Sequence, residues 1–320
     1  MSRFASRLAR FAWAVLFGNV AVILWGAFVR ATSSGAGCGG HWPMCNGEVV
    51  PRAPSVATLI ELSHRATSGI AFAAVMLLGA LVLRSTKTGD PARRPAVLAM
   101  LFMVAEVLIG AAIVLLGHVA LDPSIAHGVF TELHAGNTFM LLASLTLTAH
   151  HLGGGARISL AGRGSTLLSL VQAFTGLALT LASGAIAALG DTLFPAHSLR
   201  EGLEQDISAG AHVFLHVRTL HPVFAVVAFV LILGACTSLR SDPVLSRRGQ
   251  KLATWVILVV CGQMALGLLN LWLLVPIPTQ LLHLACADAV FVLLVLTTAN
   301  ALAEAPGVDE TSREPRLAAA

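Results

Sequence analysis

Four histidines occupy matching places in the sequence, each near the start of an apolar stretch. They are His64, His134, His221 and His283. A single histidine at a helix end is more often an interfacial side chain than a ligand, but four at matching places are harder to dismiss, because polar groups inside an apolar bundle are costly. Neutral imidazole nitrogens from two facing helices can bind a haem iron from both sides. The pattern predicts two haem pockets, one between His64 and His134 and the other between His221 and His283.

Glu61 is the acidic residue with the most direct relation to these histidines. It precedes His64 by three residues, so the two side chains share one face of a helix. A carboxylate there could stabilise a cationic intermediate or relay protons, and a low dielectric would tend to raise its pKa. An equally weighted interpretation is an interfacial glutamate paired with Arg65 or Arg30.

Two cysteines lie between the first two apolar stretches, in Cys38-Gly-Gly-His41-Trp-Pro-Met-Cys45. The two glycines could let the chain turn back and bring the sulfurs together. In an oxidising loop outside the cytoplasm a disulfide forms and persists, so we predict one between Cys38 and Cys45. A metal site of Cys38, His41 and Cys45 is an alternative that lacks a clear fourth ligand, and zinc at the four histidines lacks a compact ligand set.

The elements that must position these residues are membrane-spanning helices. The sequence is 56% hydrophobic and 11% charged, which is too apolar for a soluble domain of this length. A span needs roughly 20 mostly apolar residues, and eight such windows occur. They centre on residues 11–30, 61–83, 95–116, 132–150, 165–189, 220–239, 252–275 and 280–303. Only helices satisfy their own backbone in lipid over such lengths, so we expect an all-α, polytopic membrane protein.

Basic residues gather on one side of this topology. They include Arg3, Arg7 and Arg10 before the first span, Arg84, Lys87, Arg93 and Arg94 in the second connection, and Arg313 and Arg316 at the end. The positive-inside rule therefore predicts that both termini are cytoplasmic, with the first stretch kept as a helix. The net charge of +4 reflects this topology and indicates no nucleic-acid partner. Residues 306–320 are expected to be a disordered cytoplasmic tail.

The two halves of the chain resemble each other at an offset of 150–160 residues. Four landmarks recur in order: Trp25-Gly26-Ala27 with Ser183-Gly184-Ala185, Glu106 to Gly110 with Gln263 to Gly267, His64 with His221, and His134 with His283. Because each unit has four spans, the copies share one orientation. We predict two parallel four-helix repeats, 1–155 and 156–305, related by a pseudo-twofold axis along the membrane normal.

The histidine in the sixth predicted span has a rival. Leu215-His216-Val217 precedes the expected membrane boundary by about a turn. We prefer His221, because Leu220-His221-Pro222 opens the apolar run, matches the repeat spacing and places Pro222 in a tolerated first turn. The remaining histidines are expected to lie in solvated loops or at helix ends.

The chain resembles the haem A synthase family in segments that cover nearly its whole length. They are Gly26-Ala-Phe-Val-Arg30-Ala-Thr-Ser-Ser-Gly35, Cys38-Gly-Gly-His-Trp42-Pro43-Met-Cys45-Asn46-Gly47, Glu61-Leu-Ser-His64-Arg65, Glu106-Val-Leu-Ile-Gly110, Leu133-His134, Leu220-His221, Gln263 to Gly267 and Leu282-His283. The Arg-Ala-Thr-Ser-Ser-Gly to Trp-Pro-Met-Cys-Asn-Gly segment and the Glu-x-x-His-Arg motif are together quite specific. This family oxidises a methyl group of haem O to the formyl group of haem A.

The resemblance implies a carboxy-terminal half that holds haem b on His221 and His283. It also implies an amino-terminal half that receives haem O between His64 and His134, with Glu61 as the essential acid. The implied reaction is two successive methyl hydroxylations with loss of water, giving haem A for terminal oxidases. Cys38 and Cys45 match the cysteine pair of one bacterial branch.

The resemblance also implies partners and a location. The implied partners are haem O, the haem O synthase that supplies it, an unspecified electron donor and the lipid of the bacterial inner membrane. The oligomeric state is left undecided, and a homo-oligomer is one possibility. Two departures matter: Pro222 stands where the family often has arginine, while Arg218 lies upstream, and the loop from Asp191 to Val217 has no assigned role.

Two other classes of protein compete with the enzyme. A bis-histidine cytochrome b electron carrier uses the same ligands, but carrying electrons across the membrane normally requires haems at both depths. All four histidines here are expected at one depth. A transporter with parallel repeats explains the duplication and leaves the histidines unexplained.

Overall fold

The computed structural model of the protein describes residues 3–160, 162–243 and 245–304. This part of the chain is all-helical, with eight long α-helices, one short α-helix and a 3-10 turn at Ser34–Ala36. The helices are α1 Arg3–Ala31, α2 Val56–Ser85, α3 Arg93–Leu115, α4 Ile125–Leu152, α5 Gly164–Leu193, α6 Leu199–Ile207, α7 Val213–Ser241, α8 Arg247–Trp272 and α9 Ile277–Ala301. The expected tail, 306–320, lies outside the described residues.

Most of the long helices are long and apolar enough to cross a membrane. Among the described residues, seven helices meet this test, namely α1 from Ala5 onwards, α2, α3, α5, α7, α8 and α9. The eighth predicted span corresponds to α4, which is 28 residues long but is not one of the seven. Its sequence carries Glu132, Asn137 and four histidines, and these lower its mean hydropathy.

Helix starts follow from side chains that cap the free backbone N–H groups of the first turn. Ser55 begins α2 by accepting a hydrogen bond from the Thr58 N–H, and Ser124 does the same for His127 at the start of α4. The side chain of His212 caps α7 by accepting from the Phe214 N–H at 3.3 Å. These caps lie upstream of the predicted membrane boundaries.

The cap at His212 overturns one prediction. We expected Pro222 in the first turn of its helix, but α7 begins at Val213, so Pro222 lies in the helix interior. His216, expected in a loop, also lies within α7. The apolar run Val213-Phe-Leu before His216 extends the helix outward, and the deletion of one backbone hydrogen bond at Pro222 is tolerated.

The halves pack on one shared core. Within the N-terminal half, α1 to α4, helix α2 packs against α1 and α3, and α3 packs against α4; in the C-terminal half, α7 packs against α5 and α8, and α8 packs against α9. Helices α1 and α4 contact α5 and α9 across the boundary between the halves. The buried cluster runs through both halves and includes Leu16, Leu78, Leu142, Leu170, Ile232 and Leu294.

Arg30 fastens the halves together near the end of α1. Its guanidinium donates hydrogen bonds to the Ala188 carbonyl, to Thr192 Oγ1 at 2.7 Å and to Gln280 Oε1 at 3.1 Å. One side chain from the N-terminal half therefore satisfies partners on both α5 and α9. Because these bonds are charge-assisted, they resist separation of the halves more strongly than neutral hydrogen bonds would.

Candidate functional site

Each of the four histidines packs against a glycine on a neighbouring helix. A Cβ built on Gly26 would lie 3.0 Å from His64 Cε1, and one on Gly184 would lie 2.9 Å from His221 Cε1. The corresponding distances are 3.1 Å from Gly267 to His283 and 3.7 Å from Gly110 to His134. All four histidines fall within the first ten residues of their helices. The landmark glycines of the repeat are thus the surfaces on which the imidazoles lie.

These glycine–histidine contacts have a simple steric cause. A Cβ at Gly184 would lie closer than 3.0 Å to the imidazole and would force it to shift, and a Cβ at Gly26 or Gly267 would displace the ring by a few tenths of an ångström. Small residues allow helices in lipid to approach closely. Here the approach also fixes the position of a ring that can act as a ligand.

The C-terminal pair has the geometry that a shared planar cofactor needs. The ring centres of His221 and His283 are 6.5 Å apart, and the rings are nearly perpendicular, at 84°. Two imidazoles that share one axial metal ion have ring centres roughly 6 Å apart, since each metal–nitrogen bond is about 2 Å. The two histidines therefore fit a haem iron.

The hydrogen bonds of His221 also favour a metal-binding role for this ring. Its Nδ1 lies 3.1 Å from the Thr180 carbonyl and 3.3 Å from Ser183 Oγ. An N–H at Nδ1 donating to that carbonyl leaves the Nε2 lone pair free, which is the usual arrangement of a metal-binding histidine. On α8, Gln263 places its amide nitrogen 3.3 Å from Nε2 of His283.

The rival histidine occupies a different position. His216 Nδ1 lies 3.1 Å from the backbone carbonyl of Asp206, at the end of α6. Arg218 is bound on the same side, since it donates to Asp191 at 2.8 Å and to Asp206. The segment from Asp191 to Val217, expected to be a loop, contains the end of α5, all of α6 and the start of α7, and Arg218 joins α7 to the ends of α5 and α6. His221, not His216, faces His283.

The N-terminal pair, His64 and His134, also packs against glycines but has different polar neighbours. The Nδ1 atoms of His64 and His134 are buried and have no hydrogen-bond partner. The same is true of Nδ1 of His283. Unpaired buried nitrogens on glycine-seated rings fit a site completed by a bound group. His134 Nδ1 also lies 3.5 Å from Glu106 Oε1 on α3.

Glu106 is a site residue that the sequence reasoning used only as a landmark. It accepts hydrogen bonds from Asn137 and Thr138 on α4 and holds its carboxylate beside His134. The repeat comparison aligned it with Gln263, which lies beside His283. The chain therefore places a carboxyl group beside His134 and a neutral amide beside His283, a difference that is already visible in the sequence.

Glu61 is buried and fully engaged. Its side chain is 4% exposed, and its carboxylate accepts from the Cys38 backbone N–H at 2.7 Å and from the guanidinium of Arg65 one turn later. Of the two cations considered for it, Arg65 is the partner and Arg30 is not. Arg65 also donates to the His41 and Met44 carbonyls at 2.7 Å.

The predicted disulfide between Cys38 and Cys45 is confirmed, with Cα atoms 4.4 Å apart. The metal alternative at Cys38, His41 and Cys45 is wrong, because both sulfurs are used in this bond. In the part of the chain that the structure describes, no group of three or more His, Cys, Asp or Glu side chains is placed to hold a metal ion. The disulfide loop lies over Glu61 and is bound to it through Cys38.

Outside the spans, Asp122 organises the approach to α4. Burial raises its pKa, but hydrogen bonds with His118 and from Ser124 outweigh that effect and lower the pKa to about 2. The carboxylate stays ionised at any physiological pH. It holds Ser124, the residue that caps the helix carrying His134.

The comparisons with known proteins point to one family. The COX15-CtaA family model, described as "Cytochrome oxidase assembly protein", matches residues 9–295. A Bacillus cereus protein named "Heme A synthase" is 30% identical over 306 residues, which cover 92% of this chain and 94% of the relative. A "Heme A synthase" of Halalkalibacterium halodurans is 38% identical over 130 residues, 41% of each chain.

Relatives from two strains of Thermus thermophilus are longer. Each is named "Protoheme IX farnesyltransferase" and is 46% identical over 300 residues, which cover 93% of this chain. The aligned part is 49% of those relatives, so the chain spans about half of their length.

The apolar helices define a multi-pass membrane protein, and the match with the family is almost complete along the chain. The chain belongs to the COX15-CtaA family of cytochrome oxidase assembly proteins. Some of its relatives are named for haem A synthesis.

The Glu61–Arg65 pair supports a first prediction. Replacing Arg65 with Gln leaves a buried carboxylate without its cation and releases two carbonyls of the disulfide loop. We expect a loss of about 3–5 kcal/mol, as for other broken buried pairs, measured as a lower unfolding temperature in detergent. Arg200→Gln is the matched control, because its pair with Glu204 is also four residues apart but is exposed and is worth about 0–1 kcal/mol. Equal unfolding temperatures for the two variants would contradict this account.

Proposed function

We propose that this protein is a haem A synthase, an oxidoreductase that converts a methyl group of haem O to a formyl group through successive hydroxylations. The observation that carries the proposal is the set of four glycine–histidine contacts in two pairs, with Glu106 beside His134 and Glu61 three residues before His64 in the N-terminal half. Two similar pairs of histidines with different polar neighbours suit two haems with different roles.

In this proposal His221 and His283 hold a resident haem b in the C-terminal half, 156–305. Their ring separation of 6.5 Å and the Thr180 acceptor on His221 support it. When bound, haem b supplies one-electron transfer. Ser183 Oγ lies 3.3 Å from Nδ1 of His221, and the Gln263 amide nitrogen lies 3.3 Å from Nε2 of His283, so both neutral side chains orient a ligand ring.

The N-terminal half, 1–155, is the proposed reaction site, with haem O between His64 and His134. Glu61 is the proposed catalytic residue, three positions from His64 on α2. Arg65 and the Cys38 N–H fix the direction of its side chain, so its carboxylate can stabilise positive charge that develops near the substrate methyl. The disulfide loop holds the acid in place and excludes water from one side.

The membrane arrangement is also part of the proposal. We infer eight spans, α4 included, in two parallel repeats, with both termini on the cytoplasmic face of the bacterial inner membrane. The equivalent glycine–histidine contacts in the halves support the repeat, and the distribution of Arg and Lys supports the orientation. The histidines then lie toward the outer leaflet.

A haem O synthase is the proposed supplier of the substrate. The Thermus relatives, of which this chain matches about half, are named for farnesyl transfer to protohaem. A relative that carries that name and also contains a sequence similar to this one favours two consecutive steps on the same haem.

The resident haem can be tested through its ligands. We expect purified protein to show a six-coordinate low-spin haem spectrum, and His221→Ala or His283→Ala to lose haem b, because each removes one axial nitrogen. His216→Ala is the control and should keep it, since that ring faces the Asp206 carbonyl. Wild-type haem content in both ligand variants would refute the assignment.

The reaction can be tested by co-expression with a haem O source, followed by pigment extraction and chromatography. Wild-type protein should yield hydroxylated and formyl haem. Glu61→Gln should reduce that yield by about a hundredfold or more, a typical effect of losing a group that stabilises charge in the transition state. Glu204→Gln, an exposed glutamate on α6, is the control. Persistent haem O with the wild-type protein would favour the cytochrome b carrier instead.

A further inference from the structure

An apolar groove runs between α1 and α2. It has a volume of about 370 Å³, within the range of small-molecule sites, which is about 300–1,000 Å³. Its walls are Phe11, Ala14, Val15, Gly18, Ala21 and Val22 on α1, with Thr67, Ile70, Ala71 and Ala74 on α2. Asn19 also lies there, but its amide donates to the Val15 carbonyl of its own helix. We name this feature the α1–α2 groove.

The α1–α2 groove begins next to the contact between His64 and Gly26. Val22 is one helical turn before Gly26, and Thr67 is one turn after His64, so the groove begins immediately below the imidazole. From Val22 to Phe11 the wall extends along α1 for about 16 Å, at roughly 1.5 Å per residue. This length is comparable with that of an extended farnesyl chain.

The C-terminal half has no such opening at the equivalent place. Gly18 lies eight residues before Gly26, as Gly176 lies eight before Gly184. A Cβ on Gly18 would meet nothing within 4 Å, whereas one on Gly176 would lie 3.0 Å from the Ala228 Cα and 3.1 Å from Leu231 Cδ1. In one half the two helices are in contact, and in the other they leave a space.

One residue pair accounts for much of this difference. Ala74 lies ten residues after His64, and Leu231 lies ten residues after His221. Leu231 contacts Gly176 and fills the space between α5 and α7, while the smaller Ala74 forms a wall of the α1–α2 groove. The change from leucine to alanine removes volume at the same point of an otherwise equivalent helix pair.

We propose that the α1–α2 groove binds the isoprenoid tail of the substrate haem and so selects a tail-bearing haem for the N-terminal half. This rests on the proposed function, which places haem O at His64. The tail is an apolar chain joined to one edge of the macrocycle, and the groove is an apolar channel that starts at the macrocycle's ligand. The closed α5–α7 contact leaves no such channel at the equivalent place in the other half.

The test uses two variants that fill the groove, Ala74→Leu and Gly18→Leu. Ala74→Leu introduces the residue found at the equivalent C-terminal position, and Gly18→Leu fills the groove from the opposite wall. Gly262→Leu is the matched control, because Gly262 is also an exposed helical glycine with nothing within 4 Å. Purified holoprotein in nanodiscs is titrated with haem O and with protohaem, and binding is followed in the Soret band.

Wild-type and Gly262→Leu proteins should bind haem O more tightly than protohaem. Each groove variant should weaken haem O binding about tenfold or more, the scale of a few misplaced methylenes in a pocket. Protohaem affinity and the spectrum of the resident haem b should not change. Two groove variants that bind and convert haem O as wild type does would overturn the tail assignment and leave the enzyme intact.

Three further results would also be decisive. Equal weakening of haem O and protohaem binding in both variants would overturn the tail assignment, because it would indicate general damage to the His64 site. Wild-type protein that neither binds nor converts haem O would overturn the proposed function itself. A groove filled only by membrane lipid would give the same haem O affinity in all four proteins.

Discussion

The contact between a glycine on one helix and an imidazole on its neighbour is the constraint from which the rest of this structure follows. It requires close helix approach, which lipid permits only where side chains are small. It also limits the movement of each ring, so binding of a ligand to the imidazole costs little side-chain entropy. Because the contact occurs four times, the helices that carry His64, His134, His221 and His283 are held in two similar arrangements.

Similar arrangements have acquired different surroundings. Glu106 faces His134 where Gln263 faces His283, and Glu61 has Arg65 and the disulfide loop around it. The α1–α2 groove is open where α5 and α7 are closed. Each difference lies in the same half, beside the same pair of histidines. In the proposed function, the half with these differences carries the chemistry and the other half retains the cofactor.

Much of this was predictable from sequence, and the remainder has physical reasons. Long apolar windows located the helices, and the cysteine spacing located the disulfide. Helix starts were placed too late because caps such as His212 lie beyond the apolar windows. The Arg30 contacts join residues more than 150 positions apart, and no local pattern encodes them. The difference between Ala74 and Leu231 was present in the repeat, but its meaning depends on what faces each residue.

The central claim is that one scaffold holds two haems, resident haem b and substrate, in equivalent seats. A cryo-EM map of the holoprotein loaded with haem O tests it most directly. The account predicts one macrocycle between His221 and His283, and a second between His64 and His134 with its tail between α1 and α2. A single macrocycle after loading, or haem density away from these histidines, would contradict it.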